Sequence, residues 1–574
     1  MGLVLVNTNY FPPKYRNENG RMVIETKDLL VATILNEETG ERKIELIPEP
    51  EICFYVVKDF DKYTYPQISI PKEEVFEVRC KYSKRKFELA KAIGLEKEYL
   101  AMRSQGLDRF REWYRQNIQN SPYLYQADID IEDFYRFNFS KTHPRTSNTA
   151  IKIRKAFADI EVDQKDVEGT TANGDNPIAP VNCIQYFDSP TMTMYAFVLT
   201  KGLEDNPDFI DVRNNTQKFI EEFLSDDDFD EDIHYNIWFY NTEEDLFLSF
   251  WNIVNKTEPD FCGIWNIAFD IPYLWRRAHM LNMDVADMVC HPSVPQEMKR
   301  VNYQADSQRF SKAGETFTKA KKHFALMWDW PSISGYTQFY DQMSLYANQR
   351  KRTMEPSYKL DDISYKELKF RKVSLTGKNL NIRTAAYDDF KTFLQYAIKD
   401  TYILYKLEKK VEDLEKYMMT AGITQLEKGV SISYVLKNLL MQLFDREDRI
   451  IGNNVMYDIF ESVNGAIVAD PQLLDLSGLK IMGQSSLVYD HTIDLDASSE
   501  YPNLMISFNI AKNTIIFRIT KITRENDEIP IGTGEQLNKM LQTRRTSIFT
   551  LCNKFLNLPN IEYFLNKLKG IKNG

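Results

Sequence analysis

Apolar and polar positions alternate most clearly over Ala156-Phe157-Ala158-Asp159-Ile160-Glu161-Val162. In an extended strand successive side chains point to opposite faces. Ala158, Ile160 and Val162 therefore share one face, suited to a packed core, and Asp159 and Glu161 share the other. A polar, glycine-containing turn follows over residues 168–180, then two apolar strands at 181–187 and 193–200. This pattern predicts three antiparallel strands. Thr242 reads as a helix N-cap, with Glu243, Glu244 and Asp245 in the acidic first turn. Leu246, Phe247, Phe250, Ile253 and Val254 then recur at helical spacing. Residues 261–265 read as a buried strand, after which Pro272 fits the first turn of another helix.

The helical period returns over residues 388–418, where Phe393, Leu394, Ala397, Leu404, Leu407, Val411 and Leu414 face inward, and over 432–444. Residues 1–145 mix short strands and helices without a chemical motif. The basic run at 81–86 reads as a solvated helix start, and 140–148, with His143-Pro144, as a linker. Further on come Gly465-Ala466-Ile467-Val468, a strand at 487–495 and a basic helical stretch at 536–574. No internal repeat or low-complexity tract interrupts the chain.

At 574 residues the chain has room for about three or four domains. It is 43% hydrophobic and 27% charged, which fits a globular protein rather than a disordered one. The net charge of -11 argues against a wholesale basic nucleic-acid binder. It leaves room for a local basic channel, because charges more than about 8 Å apart are screened in physiological salt. Part of the acidic excess sits in residues 225–232, a solvated loop by composition. The six cysteines form no Cys-x-x-Cys pair, and the six histidines lack ligand spacing. Zinc, iron-sulfur and disulfide frameworks are disfavoured, and a reducing, cytoplasmic compartment is expected. No signal peptide or membrane span is apparent.

Chemistry concentrates in three places. Asp159 and Glu161 put two anions within a few ångströms of each other, so they raise each other's pKa or need a cation between them. Oxygen-only donors suit a hard divalent ion, magnesium or manganese. Asp270 lies in Trp265-Asn266-Ile267-Ala268-Phe269-Asp270-Ile271-Pro272, where strand gives way to helix; the plainer role for it is an N-cap. Tyr396 and Asp400, four apart on the long helix, project from one face with Cβ atoms about 5–6 Å apart. The plainer alternative there is an exposed acid beside a core tyrosine. Together Asp159, Glu161, Asp270 and Asp400 could hold two Mg2+ or Mn2+ ions about 3.5–4 Å apart, with Tyr396 orienting a water. That is the chemistry of metal-assisted phosphodiester hydrolysis.

The order Asp-Ile-Glu, then Asn-x-x-Phe-Asp-Ile-Pro-Tyr-Leu, then Tyr-x-x-x-Asp resembles the three exonuclease motifs of B-family DNA polymerases. Ser357-Tyr358-Lys359-Leu360-Asp361-Asp362-Ile363 is similar to the family's segment between the second and third motifs. The family usually places three residues between Asn and Phe-Asp; here Ile267 and Ala268 alone follow Asn266, and Trp265 is the other candidate for the Asn position. Asn464-Gly465-Ala466-Ile467-Val468-Ala469-Asp470-Pro471 resembles the entry into the palm. Asp496-Ala497-Ser498-Ser499-Glu500-Tyr501-Pro502-Asn503 resembles the first polymerase motif, with Glu500 and Asn503 as departures. The resemblance implies that Asp496 is catalytic and binds metal, with Asp494 on the same strand face. It also implies that Ser498, Ser499 and Glu500 cradle a triphosphate and that Tyr501 lies under the incoming sugar. The family's Lys-x-x-x-Asn-Ser-x-Tyr-Gly helix and Asp-Thr-Asp motif are not in the sequence.

The resemblance implies an α/β multidomain protein. Its parts would be a mixed α+β N-terminal domain (1–145), an RNase H-like 3′–5′ exonuclease (146–410), a segment returning to the N-terminal domain (411–455), an incomplete palm (456–545) and the start of the fingers (546–574). The layout resembles polymerases of T-even-like phages, some of which divide the enzyme between two polypeptides. Expected partners are a DNA primer-template, a single-stranded 3′ end, a C-terminal polymerase chain and a sliding clamp, with dNTP bound only by a completed palm and no membrane involved. Two alternatives are a non-catalytic scaffold for the other polymerase half and a free-standing RNase H-like nuclease.

Overall fold

The alternation around Asp159 is realised in a strand, Lys155–Val162, in the middle of a six-stranded mixed sheet. The order across the sheet is His234–Tyr240, Thr193–Leu199, Val181–Asp188, Lys155–Val162, Phe261–Ile264, Gln338–Asp341. The three predicted strands pair antiparallel as expected. The flanking pairs are parallel. The computed structural model describes residues 2–453 apart from 19–20, 145–150, 168–173, 226–228, 230–231, 307–322, 352–353, 376–379, 422–424 and 430–431. The palm and fingers expectations, with Asp494, Asp496, Ser498, Ser499, Glu500 and Tyr501, lie outside these residues.

Strand parity sorts the core into two layers. Ala156, Ala158 and Ile160 pack against helices Glu243–Thr257 and Ile267–Met280. Phe157 on the other face joins Cys183, Phe187, Ala196 and Val198 beneath helix Phe390–Val411. Helices thus cover both faces of the sheet. Gly263 lets the strands close up beside Phe157: a Cβ there would sit 2.8 Å from the Tyr340 hydroxyl and 3.1 Å from the Phe157 ring. The Thr242 cap forms, its hydroxyl accepting from Asp245 N at 3.2 Å.

Four local expectations change. The helix around Pro272 begins at Ile267, so the proline lies inside it rather than in its first turn; Asn266 is the N-cap. The long helix is two, Phe390–Val411 and Asp413–Ala421, broken at Glu412 with φ of 52°. The apolar period continues across the break, and polar contacts seal it: Leu414 N donates to Glu408 at 3.1 Å, and Arg350 pairs with Asp413 at 2.7 Å. Ser140 to Thr142 close a helix, Ile131–Thr142, that Asp130 caps at its start, instead of opening a linker. Within the acidic run, Phe229 is buried and stacks on Tyr402 with centroids 4.9 Å apart.

The basic run does start a helix, Arg85–Ala92. Arg85 is held, its guanidinium over Tyr82 and bonded to the Ile129 carbonyl. The N-terminal residues form two three-stranded sheets, Leu3–Phe11 with Leu29–Asn36 and Arg42–Pro48, and Val75–Lys81 with Glu51–Val57 and Leu124–Tyr125. After Glu412 the chain runs back against them. Gln425 exchanges hydrogen bonds with Thr8, Lys437 pairs with buried Asp133, and Arg449–Ile451 pairs antiparallel with Ser69–Pro71. All described residues belong to one compact unit, residues 1–461. No helix among them is long and apolar enough to cross a membrane.

One ion pair fastens the N-terminal sheet to the central one. Arg42 bonds both oxygens of Asp260, at 2.8 and 2.5 Å, and both side chains are almost wholly buried. Asp260 also accepts from Arg154 N at 2.7 Å, and its carbonyl accepts from Gln338 N at 3.0 Å. Removing one partner strands a buried charge, which costs about 3–5 kcal/mol. Asp260→Ala should therefore lower unfolding stability by roughly that amount in denaturant titrations. A double Arg42→Met/Asp260→Leu replacement should recover most of the loss.

Candidate active site

Asp159 and Glu161 leave the sheet on the face that Phe390–Val411 covers, and that helix supplies Asp400. Carboxylate oxygens of Asp159, Glu161 and Asp400 lie within 4.8 Å of one another. Asp270 enters from the first turn of Ile267–Met280, just past the end of the neighbouring parallel strand, and is buried. Its N-cap alternative is excluded, since Asn266 holds that position. Tyr396 lies one helical turn before Asp400. All five side chains line one cleft of about 770 Å³. Asp400 is fully buried and is not an exposed acid.

Confinement dominates the electrostatics. Burial, then the nearby Asp400, pushes Asp159 up to about 7. Burial, then Asp159, raises Glu161 and Asp270 well above the usual carboxylate range. Asp400 is raised as well, by burial, with Lys372 opposing the shift. Four acids so placed resist simultaneous ionisation unless positive charge joins them.

The sequence reading missed Lys372. Its ammonium group pairs with Asp400, donates to the Tyr396 hydroxyl at 3.1 Å and lies 4.8 Å over the Tyr396 ring. Burial works against its charge, but Asp400, Asp159 and Glu161 outweigh it, so the pKa of Lys372 is raised. Asp361 anchors the approach, accepting from Arg371 at 2.5 Å and from Lys372 N at 2.9 Å. Nothing in helical or strand periodicity marks a lysine on an irregular segment. The usable signal was the motif-like stretch 357–363, which contains Asp361.

The shortened second motif resolves in space. Trp265 is buried, and its indole N–H donates to the Tyr358 carbonyl at 3.0 Å. Asn266 is exposed on the cleft wall, and its side chain makes no cap bond. Phe269, Phe324 and Tyr358 add aromatic surface to the same walls, the kind of surface on which nucleobases stack.

The acid cluster has a measurable signature in chelated protein. Asp159 binds a proton up to about pH 7 when folded, against a reference value of 3.8. The folded state therefore holds more protons than the unfolded state across this window, and stability from this group is lost as pH rises through it. Asp159→Asn removes the titration. Without metal, the variant's unfolding temperature should gain on the wild type's between pH 5 and pH 8, as followed by circular dichroism. A constant difference would contradict the raised value.

Residues 114–324 match the model of the DNA polymerase family B exonuclease domain. The chain is similar to the DNA polymerase delta catalytic subunit of Candida albicans, 25% identical over 49% of this chain and 25% of that protein. It is similar to the DNA-directed DNA polymerase of Escherichia phage RB69, 21% identical over 67% of this chain and 37% of the relative. It is also similar to the DNA polymerase delta catalytic subunit of Plasmodium falciparum, 24% identical over 68% of this chain and 32% of that protein. The matches thus span well under half of each relative's own length. The acid cluster and these relatives agree on one point: residues 114–324 match the exonuclease domain of family B DNA polymerases.

Proposed function

We propose that residues 146–410 act as an RNase H-like 3′–5′ exonuclease, removing nucleotides from the single-stranded 3′ end of a DNA primer. The convergence of Asp159, Glu161, Asp270 and Asp400 in one cleft carries this reading. The donor set fits divalent metal. It is all oxygen, it is short of positive charge, and the Asp400 oxygens, shut off from solvent, have only the Lys372 ion pair and the nearby Tyr396 hydroxyl. Two Mg2+ or Mn2+ ions held by the four carboxylates would supply activation of the attacking water and stabilisation of the leaving oxygen.

The chain's own groups do the rest. Tyr396 presents a hydroxyl beside Asp400 and, steadied by Lys372, orients the water. Lys372 offsets part of the acid charge and holds Asp400 in place. Asn266 and the aromatic walls grip the terminal nucleotides. An inactive scaffold would need none of this, and every acid the chemistry requires is present.

By the same reading the chain is the N-terminal portion of a replicative polymerase, working in the cytoplasm. Asp496 would bind metal, and Ser498, Ser499, Glu500 and Tyr501 would contact the nucleotide. Two-metal transfer needs carboxylates on both sides of the ions, so synthesis needs a second chain or a C-terminal part that bears the Asp-Thr-Asp motif. With that part in place the assembly would take primer-template, dNTP and a sliding clamp.

Labelled single-stranded DNA tests the nuclease. The full chain should shorten it from the 3′ end with Mg2+ or Mn2+, and a chelator should stop it. Asp159→Ala should remove most activity. Asp163→Asn, beyond the cluster, should leave it near wild type. Tyr396→Phe should slow hydrolysis on the order of tenfold or more, with metal binding intact. Full activity in the Asp159 variant would refute the assignment. For synthesis, primer extension should be absent with this chain alone and appear when the complementary chain is added.

A further inference from the structure

Directly across the strand pair from Asp159 stands Gln185. Registered residues of antiparallel strands project on the same face, with Cβ atoms about 4.5–5.5 Å apart. The adjoining pairs identify that face. Phe157 lies opposite Phe187 and Glu161 opposite Cys183, and Phe157, Phe187 and Cys183 all sit in the core beneath Phe390–Val411. Gln185 is therefore an amide in an apolar layer, 0% exposed. Neither its oxygen nor its nitrogen makes a well-formed hydrogen bond. The Cys183 thiol interacts with it, but a thiol is a weak partner.

A buried amide left in this state destabilises the fold, whereas an apolar side chain of the same size would not. Packing gives no reason for glutamine here. The site next to it does. Groups that ligate metal are ordinarily held by hydrogen bonds from a surrounding shell, which fix the orientation of the ligand. Gln185 has two donor hydrogens to spare and lies within a side chain's reach of the Asp159 carboxylate.

We propose that Gln185 is a positioning residue for the nuclease site. Its amide donates to Asp159 when the four acids take up their cations, and so sets which carboxylate oxygen faces the cleft. The inference rests on the reading of Asp159 as a metal ligand. It adds a residue from a strand that carries none of the three recognised motifs.

The test uses the full chain with Gln185→Met and Gln185→Leu, both of suitable volume for the pocket, alongside Asp159→Ala. Three quantities are measured: thermal unfolding in chelator, Mn2+ binding by electron paramagnetic resonance titration, and single-turnover hydrolysis over a range of Mn2+. Both Gln185 variants should unfold at or above the wild-type temperature and bind Mn2+ about ten- to a hundredfold more weakly. Their hydrolysis should recover in part as Mn2+ is raised. Wild-type Mn2+ affinity in both variants, with binding abolished in Asp159→Ala, would overturn the role of Gln185 and leave the nuclease standing. A loss of affinity that merely tracks a lowered unfolding temperature would also overturn it, since that is what a packing residue would do. Intact Mn2+ binding in Asp159→Ala would overturn the metal site and the Gln185 proposal together.

Discussion

Crowding of like charge is the constraint around which this molecule is built. Four carboxylates from three separated parts of the chain are brought to one cleft, and their mutual repulsion works against folding. The fold tolerates this because each acid is anchored by an element with strong reasons of its own to be there. Asp159 and Glu161 ride on a strand whose other face fills an apolar layer. Asp270 rides on a helix whose Ile271, Leu274 and Ala278 lie in that same layer. Asp400 rides on a helix buried along most of its length. Apolar burial, at about 25 cal/mol per Å², supplies the stability that the cluster removes. Lys372, paired with Asp400, offsets part of the repulsion.

Much of this could be read from the sequence because period carries information. The two-residue alternation around Asp159 placed both acids on one face. The helical period placed Tyr396 and Asp400 together, and the Thr242 cap has a local chemical cause. The errors also have physical causes. Pro272 lies inside its helix because the capping turn comes earlier, at Asn266, whose side chain makes no cap bond. The break at Glu412 is invisible to periodicity, since one left-handed residue scarcely disturbs the apolar stripe and its seals, Glu408 and Arg350, act through space. Lys372 and Gln185 escaped for opposite reasons. One sits on an irregular segment where spacing means little, and the other sits in a strand where only its polarity was out of place.

The exonuclease motifs and the geometry of the cleft account for different properties of the site. Motif resemblance located the acids but said nothing of why they are raised, what steadies Asp400, or that an amide is buried opposite Asp159. Those follow from burial and register. The similarity to DNA polymerases, in turn, is what motivates the proposed substrate, which four acids and a lysine leave open.

The Arg42–Asp260 clasp turns the distance between two parts of the chain into a ruler. Asp260 ends in a strand of four residues, Phe261–Ile264, and that strand runs through Trp265 and Asn266 straight into the helical turn that bears Asp270. Every link is stiff: paired backbone on both sides of the strand, a buried indole tied to Tyr358, then helix. The same short run of chain carries the N-terminal clasp at one end and the fourth acid at the other. An arginine near the start of the chain and the fourth acid of the cleft are thus joined by one continuous stretch of backbone, from Asp260 to Asp270.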